Sequence, residues 1–314
     1  MGFYVLSYLC MIVFIGATGY LIYRQISLPL HVRWEIYPVQ HETTAKVAYG
    51  GSYMEELNWW GKPYESSLIN ELKYMVPEIL FLRGIWKENR ILWRLTFPFH
   101  FGLYLMLATF ALMLIHAILT LWGPAAFTTG NALSSFLDGL IAGSGWIGLV
   151  LGSIGGLALL TKRVGDREWR NYSSLSDYFN LGFILIFFLS AFTSAFLYDP
   201  WLDGAKAYTY GLLTGGQAMN AYVPSRSIAG RITIASASLL MAYIPLTHMS
   251  HMFMKYFLYH KVKWDDAPNR KNGRIEDAVR ENLELKPTWQ ARHIMADGHK
   301  SWRDIASSTP KETK

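Results

Sequence analysis

A chain of 314 residues that is 52% hydrophobic and only 17% charged has room for several membrane spans plus polar segments, with its apolar residues clustered rather than evenly spread. Its single cysteine, Cys10, lies inside the first apolar run, which excludes an internal disulfide and an iron–sulfur cluster ligated by this chain alone. The net charge of +6 suits either nucleic-acid binding or the basic loops of a membrane protein, and its placement decides between them.

Crossing a hydrocarbon core takes roughly 20 apolar residues. Five stretches reach that length, at 3–23, 96–122, 137–160, 178–197 and 229–254. The first lacks a small-residue cleavage site after a short apolar core and runs directly into "YRQISLPLHVRW", so it reads as a retained span. The next segment is basic from Arg24 to Arg94, whereas the connection 123–136 carries no basic residue. The 161–177 loop is basic again, with Lys162, Arg163, Arg167 and Arg170; the 198–228 loop has only Lys206 and Arg226. From Lys255 onward there are thirteen more. This alternation follows the positive-inside rule, so the charge reflects topology rather than nucleic-acid binding. The expected fold is all-α: an integral membrane five-helix bundle with its N-terminus outside and its C-terminus cytoplasmic.

Residues 1–24 form the first transmembrane helix in this reading, 25–94 a cytoplasmic or interfacial insert, 95–256 a four-helix transmembrane core, and 257–314 a cytoplasmic tail. Within the insert, "SSLINELKYMVPEILFLRGIWKENRILWR" reads as an amphipathic interfacial helix that Pro77 should break or kink. The tail contains the helical-looking "GRIEDAVRENLEL" and the aromatics Trp264, Trp289 and Trp302. Solvated chain would account for both segments; their aromatics favour a docking surface for a cytoplasmic subunit.

Ionisable residues inside a span are costly and mark functional sites. His31, His41, His260, His293 and His299 fall at or outside the cytoplasmic boundary, leaving His100 and His116 on the second span and His248 and His251 on the fifth. At about 1.5 Å per residue, His100 and His251 lie roughly 5–9 Å inside the same edge, on antiparallel helices. Two imidazoles at one depth are what a six-coordinate haem iron needs, and bis-His ligation favours electron transfer over oxygen chemistry. Each histidine donating to a neighbouring carbonyl is the plainer alternative. On a continuous helix His248 and His251 point only about 60° apart, so spacing alone leaves open which one would ligate. His-x-x-His with no nearby carboxylate or cysteine is a weak signal for a separate metal site.

The segment "PLTHMSH" at 245–251 resembles the end of the fifth span in the NarI family, the gamma subunits of respiratory nitrate reductase. There a proline, an apolar residue and a hydroxyl residue precede the proximal haem ligand, at the place of His251. "FPFHFG" at 97–102 is similar to that family's second-span His-x-Gly, which implies His100 as the partner ligand. "LLTKRVGDREWRNYSSLSDYFNLGFIL" is similar to its boundary with paired basic residues and Ser-x-x-Asp. The resemblance covers about residues 95–256, with three motifs in order on the expected spans. Members with two b haems carry further histidines where this chain has Phe110 and Thr233, so the usual distal pair is missing. His116 is then open to three roles: ligand of a displaced outer haem, contact for a quinone headgroup, or structural histidine.

The long insert and single cysteine point to the branch of membrane cytochrome b subunits in heterodisulfide-reductase-like complexes, the DsrM, HmeC, TmcC and HdrE types. The resemblance implies one haem b, a quinone or menaquinone substrate, a cytoplasmic iron–sulfur (HdrD-like) partner subunit, and a place in the cytoplasmic (inner) membrane. An outer quinone site would draw on Arg226, Arg231, Asp199 or the 207–226 loop; an inner one would use the aromatic-rich 86–104 region. Each of these residues also has an ordinary role as headgroup anchor or interfacial belt. Gly148, Gly152 and Gly156 recur every four residues, which suits close helix packing or, alternatively, a groove for an isoprenoid tail or porphyrin edge. A transporter would show internal repeats or midplane breaks, and none is visible. A haem-free membrane anchor, a quinone-binding subunit and a nitrate reductase gamma subunit are the other readings.

Overall fold

The computed structural model describes residues 2–27, 45, 57–58, 62, 67–123, 131–216, 226–258, 271–289, 294, 296–308. His31, His41, His260, His293, Trp264 and half of the insert lie outside them. Among the described residues the structure is helical, with no strand, and five helices are long and apolar enough to cross a membrane, as in a multi-pass membrane protein. The chain divides into two compact units: residues 1–18 with 73–250, and residues 19–72 with 251–314.

Helix α1 (Gly2–Ile26) is followed by α2 (Leu68–Leu80), α3 (Arg83–Glu88) and α4 (Arg90–Trp122). Helix α2 continues through Pro77 for one further turn, to Leu80, instead of breaking there. The chain turns at Leu82, whose φ of 53° is left-handed, and α3 starts from it. Asn89 accepts the Leu92 N–H and starts α4. The second span therefore extends from the end of the insert without an intervening loop.

Asn131 likewise accepts the Leu133 N–H to start α5 (Ala132–Gly165), which ends with Lys162 and Arg163 in its last turn, where cations complement exposed carbonyls. Asp166 caps α6 (Arg167–Tyr172) by accepting from the Glu168 and Trp169 N–H groups. Asp177 accepts from both the backbone N–H and hydroxyl of Ser174 at the start of α7 (Leu175–Tyr198), so Ser-x-x-Asp works here as a helix-start signal. A short helix, α8 (Asp203–Leu213), is held by Asp199, whose buried carboxylate accepts from the Gly204 and Ala205 N–H groups.

The fifth span differs from a continuous helix over 229–254. Helix α9 (Ile228–Tyr243) gives way to 3₁₀ turns at Ile244–Leu246 and His248–Ser250, and α10 (His251–Leu258) follows. Pro245 has no N–H to donate and its ring crowds the carbonyl four residues back, so the α-helix stops there. His248 and His251 consequently do not share one helix, and the 60° relation between them does not apply.

In the first unit, α5 packs against both α4 and α7, and α7 against α9. A Cβ on Gly102 would lie 2.4 Å from the Gly152 nitrogen, and one on Gly155 would lie 2.4 Å from the Phe99 nitrogen. Here α4 and α5 approach backbone to backbone, as small residues allow in membranes. Gly152 and Gly156 also take the rings and methyls of Phe188 and Leu185 from α7. Gly148, Gly152 and Gly156 thus meet α4, α7 or both. Phe188 and Ile141 are fully buried in the resulting core. Helix α1 is peripheral, with 11% of its apolar window buried against 50% for α5, and is tied in by Ser7, which bonds Tyr208 of α8 and Ser238 of α9.

In the second unit, α11 (Arg274–Leu283) and α12 (Trp302–Ser307) are linked by the Trp302 N–H donating to the Leu285 carbonyl and by Arg303 to Glu284 at 2.6 Å. Ala296 is fully buried and Trp289 meets Trp302 edge to face, so this part of the tail folds on itself. Ser301 and Asp304 cap α12 reciprocally. Hydrogen bonds from the Ser301 N–H and hydroxyl hold the Asp304 carboxyl below the usual aspartate range. A depressed carboxylate stabilises the cap fully above its unfolded pKa and loses that contribution as pH falls through the folded value. Amide protection in α12 is expected to drop with acidification over that window, and Asp304→Asn to remove the pH dependence; unchanged protection at low pH in the native chain would contradict it.

Candidate functional site

His100 lies half-buried on α4 and its Nδ1 is 2.9 Å from the Thr96 carbonyl one turn back. A carbonyl only accepts, so this contact calls for a proton on Nδ1, which in a neutral ring leaves the lone pair on Nε2. That is the tautomer a metal-ligating histidine needs, with the second nitrogen held by a backbone oxygen. The edge of Phe99 packs on the ring at 5.4 Å between centroids. Two residues on, Gly102 makes its backbone contact with Gly152, so His-x-Gly here couples a polar side chain to the tightest point of the α4–α5 interface. Thus the donor chemistry of His100 fits an axial haem ligand.

His251 is the first residue of α10 and is exposed. It belongs to the second unit, His100 to the first. His248 belongs to the first unit and joins a polar group at the ends of α5, α7 and α9. Its Nε2 is 3.4 Å from Asn180 Nδ2 and 3.9 Å from Asp177 Oδ1. Tyr243 donates to Asn180 Oδ1 at 2.8 Å, and Arg163 stands 3.5 Å from the same Asp177 oxygen. With an amide and a carboxylate facing Nε2, His248 is placed to position α7 against the end of the fifth span.

His116 sits six residues before the end of α4. Its Nε2 is 3.5 Å from Asp138 on α5, and Asp138 in turn accepts from Lys206 Nζ at 2.6 Å. Lys206 also pairs with Asp203 at 2.8 Å. Burial works against the charge on Lys206, yet the two carboxylates outweigh it and hold its pKa above the ordinary lysine value. The sequence reading missed Asp138 and Lys206 as a pair. The available signal was a carboxylate six residues into a long apolar helix.

No family model matches the chain, and no curated protein or solved structure matches it significantly. Its function therefore has to be argued from the residues themselves.

The other sequence candidates have local roles. Phe110 is exposed and Thr233 donates to Ser190 across the α7–α9 contact. Asp199 is spent on the start of α8, while Arg226 and Arg231 are exposed. The aromatic-rich region is a stack along α4, with Trp93 on Phe97 at 4.6 Å, Phe97 on Phe101 at 5.3 Å, and the Arg90 guanidinium over Trp86 at 4.9 Å. Among the described residues, no three His, Cys, Asp or Glu side chains are grouped to hold a metal ion.

Proposed function

We propose that the chain is a membrane cytochrome b subunit passing electrons between the quinone or menaquinone pool and a cytoplasmic iron–sulfur (HdrD-like) protein, with haem b held by His100 and His251. The observation that carries it is the 2.9 Å approach of His100 Nδ1 to the Thr96 carbonyl, which favours the tautomer that ligates through Nε2. Pairing with His251 rests on their matched depth in the sequence and on the NarI-like motifs around both. Haem with two imidazole ligands offers one-electron transfer and no open coordination position.

The chain's own residues have defined tasks in this reading. The Thr96 carbonyl orients the His100 ring and makes its Nε2 more basic. Phe99 packs against the His100 ring, and the Gly102 contact fixes α4 against α5 beside it. His248, with Asn180 and Asp177, holds the chain just before His251. With Cys10 its single cysteine, the chain leaves the iron–sulfur cluster of this reading to the partner subunit. The basic insert and tail, placed on the cytoplasmic side by the positive-inside rule, supply its docking surface.

A dithionite-reduced minus oxidised spectrum of the purified chain, with haem counted per chain, tests this. A b-type signal near one haem per chain is expected. Absence of haem would overturn the proposal and leave a haem-free anchor or quinone-binding subunit.

A further inference from the structure

The cluster at His116 joins three elements and is graded in exposure. Asp203 on α8 is 64% exposed, Asp138 on α5 36%, His116 on α4 20%, and Lys206, bridging the two carboxylates, 11%. Asp203 is thus the most exposed member, and Lys206 and His116 are the two most enclosed. Asp138 lies about 9 Å along α5 from its start, and about 36 Å along the same helix from Lys162, which puts the cluster at the opposite end of the bundle from the basic turn. Thr120 Oγ1, 3.5 Å from His116 Nδ1, is the polar group on the other side of the ring.

Charge gives the cluster its chemistry. Among the described residues two carboxylates face one ammonium, so with His116 neutral these four side chains sum to one negative charge. Such a charge is costly at the edge of a membrane, and a proton on His116 cancels it. His116 is also the sole member of the group whose ordinary pKa lies near neutrality.

We propose that His116, Asp138, Lys206 and Asp203 form a proton-exchange site at the end of the bundle away from Lys162 and Arg163. His116 Nε2 takes a proton from the aqueous phase through Asp138, the O–H bond formed on that carboxylate breaking as the imidazole N–H forms, and the reverse steps return it. Lys206 holds the two carboxylates together and limits how readily His116 charges. The site goes beyond the electron-transfer reading and does not depend on it.

The test is histidine-selective ¹⁵N NMR of the full chain in lipid nanodiscs across pH, with the His116 signal assigned by its loss in His116→Gln. A single protonation step is expected. Asp138→Asn should lower its midpoint by about one pH unit and Lys206→Met should raise it by about one, since each removes a neighbouring charge of opposite sign. If Asp138→Asn does not fold, Asp203→Asn carries the same sign with a smaller shift. A His116 that never protonates while the chain is folded, or a midpoint that none of these variants moves, overturns the proposal. His100→Ala run in parallel separates the two readings, because it should remove haem and leave the His116 step in place.

Discussion

His100→Ala is expected to reduce the b-type haem signal of the purified chain to background, and His251→Ala to do the same. An axial imidazole supplies one of only two protein bonds to the iron, and alanine offers no replacement donor. His248→Ala is the informative companion. Its Nε2 faces Asn180 and Asp177 on α7, so losing it should leave haem content unchanged while loosening the end of the fifth span. If His248→Ala abolishes the signal and His251→Ala retains it, the ligand assignment is reversed. His116→Ala should keep the full signal; a halved signal would show that a second haem sits at that end. Protein lost altogether in all four variants would be recognised by gel filtration before any spectrum is read.

The largest effect on stability is expected at the α4–α5 crossing. A methyl group on Gly102 would meet the backbone of Gly152 at 2.4 and 2.7 Å, and backbone cannot swing aside as a side chain can. Overpacking a well-filled contact typically costs about 1–3 kcal/mol, and a clash with main-chain atoms belongs at the upper end of that range. Gly102→Ala should therefore lower the thermal midpoint of the chain in detergent by several degrees. Gly139→Ala, on the same α5 helix with nothing within 4 Å of its added Cβ, should be neutral or slightly stabilising. Equal midpoints for the two variants would mean that α4 and α5 do not meet as closely as described. Because His100 is two residues from Gly102, a displaced α4 should lower haem content as well.

Much of this architecture was legible because helix formation in a membrane is a local matter. Run length and composition mark the five spans, since every backbone group must be bonded within its own segment. Asn89, Asn131 and Ser227 mark helix starts by accepting from N–H groups within three residues. The fifth span is instructive in the opposite direction. Pro245 was in plain view, but its apolar neighbours outweighed it in a reading by hydropathy, and hydropathy does not register a missing N–H.

By itself, the sequence determined that this chain has five helices apolar enough to cross a membrane, that Cys10 is its single cysteine, and that His100, His116, His248 and His251 are the imidazoles to explain. Tertiary structure decided what those residues and their neighbours touch. Lys206 meets Asp138 across 68 positions of sequence, His248 meets Asn180 across another 68, and the α5 glycines serve two helices where periodicity showed one face. The division has a physical cause. Spans and caps follow from bonds between residues a few positions apart, whereas pairing of charges and close backbone approach depend on which helices lie side by side, and no short-range pattern carries that information.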